Sequence, residues 1–179
     1  MRCIGTITAC LCTVLLFTLC CFSPTLVAQT DNNWTILYYA AGSNSSEQDL
    51  MPDVDEMLRG KTADGYELVL LIDRIDGFAD DSTTLGANFD DTRLYHIDKK
   101  GYVQLDGKEE LPEISRNGHY EGNMGDADLL RRFIRYGKKH YPAKHYMLII
   151  RSHGNGLGMC PDREKEVTIG STQESLAMY

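Results

Sequence analysis

"HYMLIIRSHGNGLGMC", residues 145–160, joins an apolar run, Tyr146 to Ile150, to a loop with glycines at 154, 156 and 158. A short apolar run of this kind, bounded by glycines, reads as a buried strand, and His153 falls at its carboxyl end. An imidazole there can act as a general base, or keep a neighbouring thiol ionised, because an adjacent imidazolium lowers a thiol pKa. Gly154 then matters through its backbone N–H, which reaches an oxyanion site where a side chain would obstruct substrate. The same histidine can equally be a loop residue bonded to a backbone carbonyl. The pattern alone leaves both readings open.

Upstream of the strand, "GNMGDADLLRRFIRYGKKHYP" opens with Asp126 as a helix cap and Asp128 in the first turn. Leu129, Leu130, Phe133 and Ile134 form an apolar stripe, Lys138, Lys139 and His140 suit the last turn, and Pro142 stops the helix. Nearer the amino terminus, "WTILYYAA" (34–41) and "YELVLLID" (66–73) read as buried strands. Between them, "GSNSS" is a loop with candidate caps. "EQDLMPDVDEMLRG" follows as a helix with Leu50, Val54, Met57 and Leu58 on one face. Pro52 is placed in its first turn, where a missing N–H costs little. "TRLYHID" and "GYVQLDG" form a hairpin around Lys99-Lys100-Gly101. Residues 74–92 and 106–125 read as loops. Alternating strands and helices predict a parallel sheet with helices packed on it, in which functional residues gather at the carboxyl ends of strands.

The first 28 residues stand apart. One positive charge at Arg2 precedes an apolar run from Ile4 to Phe22, then Pro24 and the small residue Ala28. That is the layout of a secretory signal, with cleavage expected after Ala28; a retained anchor and lipidation at Cys20 or Cys21 are the alternatives. Five of the six cysteines lie in this segment, so residues 29–179 keep only Cys160 and no disulfide framework. They carry 17 basic and 26 acidic side chains, a net charge of −9. This disfavours nucleic acid and anionic membranes as partners and is compatible with a cationic substrate.

The wider stretch from Gly122 to Gly156 resembles the clostripain family of cysteine peptidases, caspase-like enzymes that cleave after basic residues. The likeness lies in Gly125-Asp126, the Tyr141-Pro142-Ala143 stop, the strand "YMLII" and the His-Gly-x-Gly turn. "WTILYYAAGSNSSEQDL" is similar to that family's first strand and following loop. The resemblance implies a caspase-like three-layer α/β sandwich with a mainly parallel sheet. It assigns His153 to a His/Cys dyad and Gly154 to the oxyanion site, with peptide or protein substrates bearing Arg or Lys.

The family's nucleophile lies in an Asp-Ala-Cys-like context on the next strand, and nothing similar follows His153 before Tyr179. The expectation is therefore an amino-terminal part of the peptidase domain, residues 29–179, with the cysteine downstream. The sheet is then incomplete in this chain, and the rest, a heavy chain if the protein is processed, is its partner. Arg163 and Lys165 offer processing sites in a polar stretch. Cys160, seven residues past His153, is the alternative nucleophile or a free thiol under a loop. Position 151, often aromatic in the family, is Arg.

No cofactor is expected to be required. Relatives of clostripain can depend on calcium, and Asp73, Asp76, Asp80, Asp81, Asp90 and Asp91 form an acidic loop offering hard oxygen ligands, or simply a solvated one. His96, His119, His140 and His145 show no metal-ligand spacing. Two rival readings are a non-catalytic remnant or binding domain of the same fold and a nucleotide-binding α/β domain. The latter lacks a glycine-rich phosphate loop after either early strand.

Overall fold

In the computed structural model, which describes residues 32–60, 64–154, 158–162 and 167–169, β1 (Trp34–Ala41) is an interior strand of the sheet. It pairs in parallel with β2 (Tyr66–Asp73) on one side and β5 (His145–Arg151) on the other. Beyond β2 the chain adds β3 (Thr92–Asp98) and β4 (Gly101–Gln104), both antiparallel to their neighbours. The order is β4-β3-β2-β1-β5. The sheet is thus mixed, because the loop 74–91 returns the chain beside β2 without the crossover helix that a parallel neighbour needs. The β3–β4 hairpin turns at Gly101, whose φ of 139° favours glycine.

Alternation along β1 assigns its side chains to two cores. Leu37, Tyr39 and Ala41 pack with Val69, Leu71 and Leu94 against Leu129, Phe133 and Tyr136 of α2 (Ala127–His140). Tyr38 and Ala40 pack with Leu68, Leu70 and Ile72 against Leu50, Met51 and Val54 of α1 (Glu47–Gly60). One helix on each face gives the three-layer sandwich. At Gly137 the contact is so close that a Cβ would lie 2.2 Å from Leu37 Cδ2. Asp126 caps α2 by accepting from the Asp128 N–H, as the sequence leads one to expect.

Pro52 departs from its expected place. α1 begins at Glu47, so Pro52 lies inside it. The earlier start follows from Ser46, whose carbonyl accepts from the N–H groups of Asp49 and Leu50. Pro52 and Gln48, the residue four before it, both face solvent, so water can serve the carbonyl left without its helical donor. β5 also departs from the reading as a buried strand. Tyr146, Met147 and Leu148 are 37%, 44% and 41% exposed. Among the described strands β5 pairs only with β1, so it is an edge, and burial of its apolar run requires a further neighbour.

From β1 the chain runs through α1 to β2, then returns through α2 to the opposite side of β1. The strand order reverses between β1 and β5. In open α/β sheets the crevice at such a reversal, outside the carboxyl ends of the strands, is where ligands bind. The loop 42–46 and residues 152–154 border it.

Candidate functional site

The loop after β1 is held from below. The Gly42 N–H donates to the Asp73 carbonyl at 3.0 Å, and a Cβ at Gly42 would lie 2.6 Å from that oxygen. Asn44 is buried and ties three segments together. Its Nδ2 donates to the Ala41 carbonyl at 3.2 Å, to Ser152 Oγ at 3.2 Å and to the Pro161 carbonyl at 2.9 Å. Its Oδ1 accepts from Ser46 N and Ser46 Oγ. Ser152 Oγ in turn donates to the Ala41 carbonyl at 2.8 Å. The ends of β1 and β5 are therefore fixed to each other by side chains as well as by the sheet ladder.

This frame presents His153, which is exposed, to the half-buried Ser45. Ser45 Oγ lies 3.1 Å from His153 Nε2. The His153 carbonyl accepts from the Cys160 N–H at 3.1 Å, and Gly154 bridges Met159 in the antiparallel sense. In such a pairing successive residues turn their backbone groups to opposite sides. The Gly154 N–H therefore points away from β6 (Met159–Asp162). β6 pairs with β7 (Val167–Ile169) to form a separate two-stranded sheet. Beside the histidine, Arg151 Nε donates to Asp53 Oδ2 of α1 at 2.7 Å, which explains how a cation is accommodated at that position.

Cys160 is turned away from this chemistry. Its φ of 57° lies in the left-handed region. Its side chain is fully buried in the core with Tyr39 and Phe133. Burial pushes its thiol up to about 12. A thiol so held stays protonated at neutral pH and is inert as a nucleophile. Gly156, Arg163 and Lys165 lie outside the described residues, as does the leader at 1–28.

The acidic loop does not converge on one point. Asp81 accepts from Thr83 and Thr84, and these bonds outweigh its partial desolvation and hold its carboxyl at about 2. Asp91 pairs with Arg93 and His119. Asp76 and Asp90 line a shallow pocket of about 240 Å³ with Ile75, Asn88 and Phe89. Asp73 instead meets two carboxylates from elsewhere. Asp73, Glu121 and Asp162 each bring an oxygen within 4.8 Å of the others. Thr92 Oγ1 donates to Asp73, and the Met124 N–H donates to Asp162. Neither Glu121 nor Asp162 carries a spacing signal, so only the fold could bring them to Asp73. His96 pairs with Glu67, His119 with Asp91 and His140 with Glu110, while His145 packs beside Trp34. None of these four joins the site.

An α/β sandwich with a histidine-glycine turn at its strand reversal is the caspase-like arrangement of cysteine peptidases. The Clostripain family's pattern matches residues 38–172, and the chain belongs to that family. It is similar to clostripain of Hathewaya histolytica, 44% identical over 123 residues, which are 68% of this chain and 23% of that protein. The chain thus spans about a quarter of that relative's length. Two solved structures share the fold. One is a B. fragilis cysteine protease, 24% identical with a TM-score of 0.50, covering 69% of this chain and 91% of that one. The other is a secreted C11 cysteine protease from Bacteroides thetaiotaomicron in complex with an irreversible peptide inhibitor. It is 23% identical with a TM-score of 0.50, covering 71% of this chain and 31% of that one.

Proposed function

We propose that this chain is the histidine-bearing portion of an exported cysteine endopeptidase that cleaves after Arg or Lys. His153 takes the proton of a cysteine thiol contributed by a segment downstream, placed beside β5. The thiolate attacks the scissile carbonyl, the Gly154 N–H stabilises the oxyanion, and the imidazolium returns the proton to the leaving amine. The observation that carries this reading is the division of roles between two neighbours. His153 is exposed at the strand reversal, whereas Cys160 is buried with its thiol held protonated. The open, apolar edge of β5 supports a further strand at that place. The net negative charge suits a cationic substrate.

Export rests on the leader sequence, with a mature amino terminus at or near Gln29. A helix long and apolar enough to cross a membrane does not occur among the described residues. Maturation by a cut after Arg163 or Lys165 would leave a light chain paired with a heavy chain. No step runs through a metal. The Asp73, Glu121 and Asp162 oxygens are hard donors that suit calcium. An ion there would neutralise three close carboxylates and join β2, β6 and the segment before α2. Hydrolysis of Arg- and Lys-ended reporter peptides, against Asp- and Leu-ended controls, by full-length protein tests the activity and its specificity. Preference for the uncharged or acidic peptides would overturn the assignment.

A further inference from the structure

An imidazole carries its two nitrogens on different sides of the ring. Whatever engages one therefore sets the direction of the other, while a hydroxyl, which both donates and accepts, fits either tautomer. In this protein Nε2 of His153 faces Ser45 Oγ at 3.1 Å, and Ser45 is the ring's polar partner among the described residues. The two residues are 108 positions apart and come from opposite sides of the β1–β5 reversal.

The bonds at the start of α1 are made by the neighbours of Ser45. Ser46 supplies the carbonyl to the first helical N–H groups, and Asn44 Oδ1 receives the Ser46 N–H and hydroxyl. The loop is also fixed ahead of Ser45, by Gly42 on the Asp73 carbonyl and by Asn44 on Ala41, Ser152 and Pro161, and behind it by Ser46 on Asn44 Oδ1. Ser45 Oγ is therefore delivered to the ring by a braced segment.

We propose that Ser45 is the positioning residue of the histidine, an inference that rests on the dyad reading above. Ser45 Oγ accepts the Nε2–H of His153. The contact sets the ring's orientation, and the dyad's need for a base facing the incoming cysteine puts the lone pair of the neutral ring on Nδ1. During acylation the thiol proton moves to Nδ1, the S–C bond forms, the C–N bond breaks and the same proton passes to the leaving amine. The Nε2 proton stays on the ring throughout, and Ser45 accepts it in both charge states. A neutral hydroxyl thus orients the base.

The test compares Ser45→Ala, Ser45→Thr and His153→Ala in the full-length protein on an Arg-ended reporter. It is joined by ¹⁵N-imidazole NMR of the full-length protein. A lost neutral hydrogen bond to the base predicts a kcat about tenfold lower in Ser45→Ala with KM unchanged. Ser45→Thr, which keeps the hydroxyl, should recover it to within about twofold. NMR should show the neutral His153 ring protonated at Nε2, with faster exchange of that proton in Ser45→Ala. Unchanged kcat in Ser45→Ala, with activity abolished in His153→Ala, overturns the inference and leaves the dyad standing. Equal loss in the Ala and Thr variants marks a packing role and overturns it too. Activity surviving His153→Ala removes the dyad, and with it any positioning role for Ser45.

Discussion

Asn44 Nδ2 donates to Ser152 Oγ across 108 residues of chain, and the same nitrogen reaches the Pro161 carbonyl. One buried amide thus holds the ends of β1 and β5 and the start of the second sheet in a fixed relation. Asn44→Ala leaves the Pro161 carbonyl and the Ser46 N–H without this partner. The expected loss is about 1–3 kcal/mol of stability, the usual cost of leaving buried polar groups unmade. Urea denaturation measures it. Activity of the full-length variant should fall more than its stability explains, because the His153 loop loses its brace.

Gly137 predicts a sterically driven defect far from the site. An alanine there would press its Cβ into Leu37 at 2.2 Å, forcing α2 off the sheet. Alanine's higher helix propensity favours the substitution by about 1 kcal/mol. Overpacking of a tight contact typically costs about 1–3 kcal/mol, so net destabilisation is expected. A lowered Tm with unchanged reporter selectivity is the result to look for; a raised Tm would show that the helix can shift freely.

Glu110 gives a pH dependence. Hydrogen bonds from Lys139 and then His140 hold its carboxyl at about 2, well below the ordinary 4.5. A carboxyl depressed on folding stabilises the fold fully above its unfolded value. That contribution is lost as pH falls from about 4.5 toward 2. Acid should therefore release the 106–125 segment from the end of α2. Exchange protection across that segment, corrected for the intrinsic pH dependence of amide exchange, should fall on acidification in the wild type, and Glu110→Gln should flatten the dependence.

Calcium is tested by binding rather than turnover. An ion held by Asp73, Glu121 and Asp162 stabilises the fold by mass action, about 2.7 kcal/mol at a hundredfold excess over its Kd. For a domain of this size that is a rise in Tm of roughly 5–10 °C. The rise should disappear on chelation and in Asp162→Asn. An equal calcium effect in Asp162→Asn would place the ion elsewhere.

The strands β1, β2 and β5, the β3–β4 hairpin and helix α2 were legible because each is specified locally. Trp34–Ala41 and Tyr66–Asp73 are short apolar runs, and α2 carries its cap, stripe and terminal cations in order. The start of α1 was not legible, since Ser46 competes with Pro52 for that role, and Ser46 is held in place by a local turn on Asn44 Oδ1 that composition does not announce. The exposure of β5 was hidden for a different reason. A run such as Tyr146–Ile150 states that burial is required, not which strand provides it. At the site, His153 and Gly154 stood out by motif. Asn44 and Ser45 were read only as candidate helix caps in a loop, Ser152 was given no role, and Glu121 and Asp162 carried no signal at all. Their meeting depends on the order of strands in the sheet.

The central claim is that His153 serves a cysteine other than Cys160, and one comparison tests it most directly. Arg-ended reporter hydrolysis is measured for the 179-residue chain and for full-length protein carrying the downstream cysteine, each with His153→Ala and Cys160→Ser. The account predicts background rates for the chain alone and activity in the full-length protein. His153→Ala should lower that activity by roughly 10³–10⁶, the scale seen when a catalytic dyad or triad loses a member, while Cys160→Ser leaves it intact. Thiol-dependent cleavage by the 179-residue chain, lost in Cys160→Ser, would contradict the account and make Cys160 the nucleophile.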